Sequence, residues 1–228
     1  RNTIFSALLS MIFFSVSGQK TDLPFQNVSK LNLPVSDLSR LTMDALPFDL
    51  DGDGDLDIMI ANEHRPNILL INDGNGVFTN ESSTRIPQIA HDSEEVAIAD
   101  FDKDGDPDII VVSEDDQINE YYLNDGKGVF SDAGGQLGFK GTSNCVASYD
   151  FNNDSFPDLL IGNNGRNFLM INDGKGNFFD ESIKRLGDME DVTQDIAIGD
   201  LDNDGDPDLV VGNEGNNRIL FKDGKGNI

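Results

Sequence analysis

This sequence predicts an all-β fold of stacked four-stranded antiparallel sheets, and three observations predict it. An acidic loop recurs four times, Asp49 to Asp57, Asp100 to Asp108, Asp150 to Asp158 and Asp200 to Asp208, with first residues spaced 51, 50 and 50 apart. Short runs rich in β-branched residues flank every copy. A further run in each unit leads into an Asp-Gly-x-Gly turn. A period near fifty residues marks a repeat architecture in which each unit buries its apolar face against the next.

The elements follow in chain order. Ile4 to Phe14 is mostly apolar, and Ser15-Val16-Ser17-Gly18 supplies small residues after it, so residues 1–18 read as a secretory signal peptide. The apolar stretch is short for a bilayer span, which needs about 20 residues, although a buried helix or a membrane anchor is the alternative. With Pro24, Pro34 and scattered Ser and Asn, residues 19–41 read as an irregular lead-in. Residues 42–228 divide into four repeats, at approximately 42–92, 93–142, 143–192 and 193–228.

Within a repeat, a first run such as Val96-Ala97-Ile98-Ala99 precedes the acidic loop, and a second such as Ile109-Ile110-Val111-Val112 follows it. Runs of four or five residues with branched side chains favour strands over helices. The third run starts on asparagine in every unit, at Asn67, Asn119, Asn167 and Asn217. The turns after it open at Asp73, Asp125, Asp173 and Asp223. Asp-Gly between strands is a hairpin signal, because glycine accepts positive φ without a Cβ clash. Val77-Phe78, Val129-Phe130 and Asn177-Phe178 then begin a fourth strand. Four antiparallel strands per unit make a β-propeller blade. The fourth unit stops at Ile228 with its outer strand missing, so the sequence reads as an open part of a larger propeller.

Composition narrows the function. Forty-two acidic residues against 16 basic ones give a formal charge of −26, which excludes a nucleic-acid binder built on Lys/Arg clusters. Fifteen Phe and the regular apolar runs argue against disorder. Cys145 is the single cysteine, so no intramolecular disulfide supports the fold. His64 and His91 show no metal-ligand spacing and read as ordinary polar residues. Neither G-x-S-x-G nor H-E-x-x-H occurs, which points away from an enzyme.

The acidic loop itself reads as a calcium cage. Two unit charges about 4 Å apart repel by roughly 4 kcal/mol at an effective dielectric of 20, so gathered aspartates call for a cation. Calcium takes six to eight oxygen ligands, and positions 1, 3, 5 and 9 with the carbonyl of position 7 can supply them. Magnesium, which dehydrates reluctantly, seldom uses such a cage. An EF-hand is excluded, because position 12 is Ile60, Val111, Ile161 and Val211.

The pair of motifs, D-h-D-x-D-G-x-x-D after a short strand and N-D-G-x-G-x-F after the third, resembles the FG-GAP/VCBS repeat over residues 42–228. The resemblance implies blades like those of the integrin α-subunit head, usually seven in number, with calcium between the first two strands of each. It implies up to four Ca2+ ions. Side-chain ligands would be Asp49, Asp51, Asp53 and Asp57, then Asp100, Asp102, Asp104 and Asp108, then Asp150, Asn152, Asp154 and Asp158, and lastly Asp200, Asp202, Asp204 and Asp208. Asp55, Asp106, Phe156 and Asp206 would lend carbonyls. The third site should be weakest, since Asn152 replaces an aspartate and Ser155 the glycine. Where the other units carry Asp44, Glu95 and Asp195, the third has Cys145; that acidic position either supports the loop or faces the neighbouring blade. The expected function is a secreted, periplasmic or cell-surface binding or adhesion scaffold for a protein or glycan, with no transmembrane span after signal cleavage. A propeller part of an extracellular carbohydrate-active enzyme, a polysaccharide lyase or hydrolase, is the alternative.

Overall fold

A computed structural model describes residues 25–34, 41–115 and 118–222. The expected signal peptide at residues 1–18, the fourth Asp-Gly-x-Gly turn and the chain end lie outside these residues. The chain forms consecutive antiparallel sheets. Strands β1 (Thr42–Phe48), β2 (Asp57–Pro66), β3 (Ile68–Asn72) and β4 (Phe78–Asn80) make the first blade. The second contains β5 (Ala90–Ala99), β6 (Asp108–Ser113), β7 (Glu120–Asn124) and β8 (Phe130–Asp132). The third contains β9 (Ser143–Tyr149), β10 (Asp158–Arg166), β11 (Phe168–Asn172) and β12 (Phe178–Asp180). β13 (Glu190–Gly199), β14 (Asp208–Asn213) and β15 (Arg218–Leu220) form the described part of the fourth.

Two boundaries differ slightly from the sequence reading. β5 and β13 begin at Ala90 and Glu190, because their first residues pair with the end of the preceding blade's second strand: Asp92 with Glu63, and Val192 with Asn164. The connections after β4 and β12 contain single-turn helices, α2 (Ser82–Arg85) and α3 (Ser182–Arg185), too short for a periodic signal. The lead-in carries another, α1 (Ser29–Asn32), and Asn32 Nδ2 donates to the Gly76 carbonyl at 2.7 Å. Among the described residues, no helix is long and apolar enough to cross a membrane.

The first strands lie side by side, β1 by β5, β5 by β9 and β9 by β13. Apolar cores fill the spaces between blades. Leu50, Met59, Leu69, Ile109 and Tyr122 pack between the first and second, and Phe151, Leu160, Leu169 and Leu209 between the third and fourth. Between the second and third, Phe101, Tyr121 and Phe178 meet edge to face with ring centroids 5.7 to 6.0 Å apart. Such pairs add about 0.5–1.5 kcal/mol beyond burial. The fourth blade breaks the pattern. Leu201 and Ile219 are 46% and 57% exposed, whereas their counterparts Leu50, Phe101, Phe151, Leu69, Tyr121 and Leu169 are buried. Among the described residues nothing covers its outward face, so the blades as described form an open arc.

Candidate metal centres

Each acidic loop joins the first and second strands of a blade, and in the first three blades its second residue anchors it. Leu50, Phe101 and Phe151 are buried in the cores just described, so the apolar residue between two aspartates pins the loop to the blade interface. The ninth-position aspartate closes the loop as a clasp. Asp108 Oδ2 accepts the Phe101 N–H at 3.0 Å and Oδ1 accepts the Asn124 N–H at 2.9 Å. Asp57, Asp158 and Asp208 repeat this with Leu50 and Asn72, Phe151 and Asn172, and Leu201 and Lys222. One carboxylate thus ties the loop to the third strand.

The first-position aspartates turn inward and gather loop N–H groups: Asp49 from Gly52 and Gly54, Asp100 from Gly105, Asp150 from Asp154 and Ser155, Asp200 from Asp204 and Gly205. Fifth-position carboxylates of Asp53, Asp104, Asp154 and Asp204 accept the N–H of Asp55, Asp106, Phe156 and Asp206. The sixth position is left-handed in every loop, with φ of 93° at Gly54, 103° at Gly105, 95° at Gly205 and 71° at Ser155. Serine therefore adopts the conformation its glycine counterparts take freely. The fourth position is left-handed as well, at Gly52, Lys103, Asn153 and Asn203, which the alternating aspartates gave no reason to expect.

The two sequence motifs fit against each other. A methyl group at Gly74 or Gly126 would lie 2.5 Å from the seventh-position carboxylate of Asp55 or Asp106, and one at Gly174 equally near the Phe156 ring. Asn72, Asn124 and Asn172 accept the N–H of Gly74, Gly126 and Gly174 and donate to the eighth-position carbonyls of Leu56, Pro107 and Pro157. Two of these amides also reach across blades. Asn124 Nδ2 donates to Leu50 O at 3.0 Å and Asn172 Nδ2 to Phe101 O at 2.8 Å. Arg85 adds a bridge, 3.4 Å from Asp51 and donating to Lys127 O at 2.6 Å. In the fourth unit Lys222 stands in place of this asparagine, its buried Nζ 3.9 Å from Asp206.

Electrostatics favour a cation. Asp49, Asp51 and Asp53 each place a carboxylate oxygen within 4.8 Å of the others, as do Asp100, Asp102 and Asp108, and Asp200, Asp202 and Asp208. Asp51 Oδ1 and Asp100 Oδ1 are buried with no hydrogen-bond partner. Burial first, and then neighbouring charge, raises the carboxyls of Asp51 and Asp102 above the ordinary range. Burial pushes Asp108 up to about 7 and Asp158 to about 6 despite two N–H donors each. Uncompensated oxygens in a hard-donor set fit a divalent cation such as calcium. The third loop is different: Asn152 Nδ2 donates to Asp154 Oδ2 at 2.7 Å, and its carboxylates are not among the triads so assembled.

The acidic residues before the loops face the neighbouring blade. Asp44 Oδ2 accepts the Val96 N–H at 3.1 Å and Glu95 Oε2 the Val146 N–H at 2.7 Å. A bulge at the start of each first strand accompanies this position. Cys145, buried at the same place, has its thiol pushed up to about 12 by burial and by Glu95.

Comparison with known proteins follows the repeats. The family described as FG-GAP-like repeat matches residues 49–111, 100–161 and 150–211, each window opening on the first aspartate of a loop. No curated protein matches. Among solved structures, the chain is similar to an Agrocybe aegerita lectin with specific recognition of non-reducing terminal N-acetylglucosamine, at 22% identity and a TM-score of 0.47, covering 79% of this chain and 49% of that one. It is similar to the V. cholerae biofilm matrix protein Bap1 at 20% identity and 0.39, covering 73% and 23%. A Photorhabdus luminescens Tc holotoxin pore matches at 16% and 0.41, covering 78% and 8%. The chain thus spans about half the length of the lectin and less of the other two.

Proposed function

The chain belongs to the family of FG-GAP-like repeats, and from that premise we propose that it is an exported, calcium-stabilised propeller scaffold that binds an extracellular glycan or protein. The observation that carries this reading is the place of the loops at blade junctions. The Leu50 and Phe101 carbonyls of two loops accept the Asn124 and Asn172 amides of the following blades, so an ordered loop holds adjacent sheets in register. Asp49, Asp51, Asp53 and Asp57 and their counterparts would hold Ca2+, which supplies charge compensation and a cross-link. The chain's own contribution is rigidity: clasps at Asp57, Asp108, Asp158 and Asp208 set the loops, and Leu50, Phe101 and Phe151 lock the first three to the cores.

Strand direction puts the starts of the second blade's third strand and the inter-blade connections on the opposite face of the arc. A cleft of about 220 Å³ opens there between the connections of the first and second blades, with His91, Glu120, Asp132, Phe139 and Lys140 among its lining residues. An aromatic face beside donors and acceptors suits a sugar ring or a peptide with polar groups. Retention of the full chain on immobilised acidic and neutral polysaccharides, with calcium present, tests this reading. Asp132→Asn and Lys140→Gln should each lower retention while leaving the melting temperature unchanged; Phe139, whose ring centroid lies 5.3 Å from that of Phe168, is left intact. Retention indifferent to both substitutions removes the cleft from the proposal, and release of new reducing or unsaturated ends moves the chain to the carbohydrate-active enzyme reading.

A further inference from the structure

A second group of potential ligands lies at the junction of the first two blades, on the face away from the acidic loops. Glu63 and His64 come from the end of β2, Asp92 from β5, and Glu114 and Asp115 from the turn after β6. Glu63, His64 and Asp92 offer ligand atoms within 4.8 Å of one another, and so do Asp92, Glu114 and Asp115. Asp92 is common to both sets and only 4% exposed. Its Oδ2 accepts the Asp115 N–H at 3.0 Å, whereas its Oδ1 has no hydrogen-bond partner. That oxygen faces the group: His64 Nδ1 lies 3.2 Å from it, an ion pair only when the imidazole is charged. Among the described residues, His64 alone is within ion-pair distance of these carboxylates.

The group is not a property of the repeat. The backbone bonds from Glu63 to Leu41, Glu114 to Asp92, Asn164 to Thr142 and Glu214 to Val192 fix the equivalent positions. Asp92 therefore stands where other blades have leucine, threonine and valine, and Gly165 and Gly215 stand where this junction has His64 and Asp115. A carboxylate buried at a position otherwise apolar or neutral costs stability unless it is compensated. Four carboxylates with one imidazole also differ from the all-oxygen loops, because imidazole brings preference for zinc, nickel or copper over calcium.

We propose that this junction is a second metal site, binding one divalent transition cation through Asp92, His64 and Glu63, with Glu114 and Asp115 supporting it from the other side of Asp92. The site links two blades on the face that carries the cleft. It stands independently of the calcium loops and of the ligand of the scaffold.

The test is a Zn2+ titration of the full chain in excess calcium, followed by calorimetry and by imidazole nitrogen resonances. The chain has two histidines, so the two resonances are separable. One-to-one binding should shift His64 and leave His91 in place. His64→Gln and Glu63→Gln, both at partly exposed positions, should weaken Zn2+ binding at least tenfold without altering the calcium-dependent melt. Asp92→Asn should abolish it, and if that buried substitution unfolds the chain the other two decide. No shift at His64, an equal shift at His91, unchanged affinity in His64→Gln, or loss of Zn2+ at calcium concentrations that fill the loops overturns the proposal. So does a junction whose stability responds to imidazole protonation but not to Zn2+.

Discussion

Loops 100–108 and 150–158 follow one backbone path yet offer a cation very different surroundings. The second loop carries five carboxylates, Asp100, Asp102, Asp104, Asp106 and Asp108, and gathers three of them with a buried oxygen left unpaired. The third carries Asp150, Asp154 and Asp158, pairs Asp154 with the Asn152 amide, and replaces the seventh aspartate by Phe156. Both keep the ninth-position clasp and the left-handed residues at positions four and six. Shape in these loops therefore rests on backbone N–H groups given to the first-, fifth- and ninth-position carboxylates, while cation affinity rests on the carboxylate oxygens left over. The two properties can be changed separately.

Chelation should have the largest effect and should divide the loops. A ligand bound only by the folded state stabilises by about 2.7 kcal/mol per site at a hundredfold excess over its Kd. Thermal melts with calcium and with chelator should differ by several degrees at least, and superimposable curves sink the calcium reading. Asp100→Ala should remove more of the total calorimetric affinity than Asp150→Ala. An equal or larger loss for Asp150→Ala reverses the ranking.

The clasp should matter in both loops and without metal. Asp108→Ala strands the Phe101 and Asn124 N–H groups, and Asp158→Ala strands those of Phe151 and Asn172. An unsatisfied buried donor costs about 1–3 kcal/mol, so each substitution should destabilise by roughly 2–4 kcal/mol in chelator, measured by urea unfolding. A loss seen only with calcium would make the ninth position a ligand and nothing more.

The pH response separates the loops more finely. In chelated protein, Asp108 titrates at about 7 and Asp158 at about 6, both above the ordinary unfolded value of about 3.9. A raised carboxyl binds its proton more tightly when folded, so its penalty is absent below the unfolded pKa and complete above the folded one. Chelated protein should gain stability as pH falls from 8 to 5. Calcium, which needs the ionised form, should lose its effect across the same window, at higher pH in the second loop. Asp108→Asn should flatten the upper part of the profile and Asp158→Asn the lower, in urea melts taken at half-unit steps. Stability that rises with pH through this window in chelator contradicts the assignment.

Much of this architecture was legible because two periods coincide in the sequence. Branched runs separated by Asp-Gly turns named the strands, and the fifty-residue spacing named the blades. The alternating aspartates marked the loops, and the Asn152 and Ser155 departures marked the loop whose backbone is strained and whose charge is reduced. What stayed hidden depends on contacts between repeats. Nothing local to Asn124 or Asn172 indicates that their amides reach a carbonyl of the preceding blade. In sequence Asp44 and Glu95 could support the loop or face the neighbouring blade, and only their bonds to the Val96 and Val146 N–H groups show the second. Asp92 appears in sequence as one more acid, although it sits at a position buried in its own blade and apolar in two others.

The smallest expected effect bears most directly on the separation of shape from charge. Ser155 has φ of 71°, and its N–H donates to Asp150 Oδ2 at 2.8 Å, a bond that glycine would keep. A left-handed L-residue costs about 1–2 kcal/mol through its Cβ, and the greater freedom of glycine in the unfolded chain offsets part of that. Ser155→Gly should therefore stabilise the protein by about 0.5–1 kcal/mol, equally with calcium and with chelator, because the strain is in the backbone. Gly105→Ser in the second loop should cost about as much. Asn152→Asp should do the opposite kind of thing: it removes the amide that holds Asp154, so it should weaken the chelated protein and raise calcium affinity. Urea unfolding of the three variants in both conditions checks the whole set. If Ser155→Gly helps only when calcium is present, backbone and charge are coupled in this loop, and its weakness has one cause rather than two.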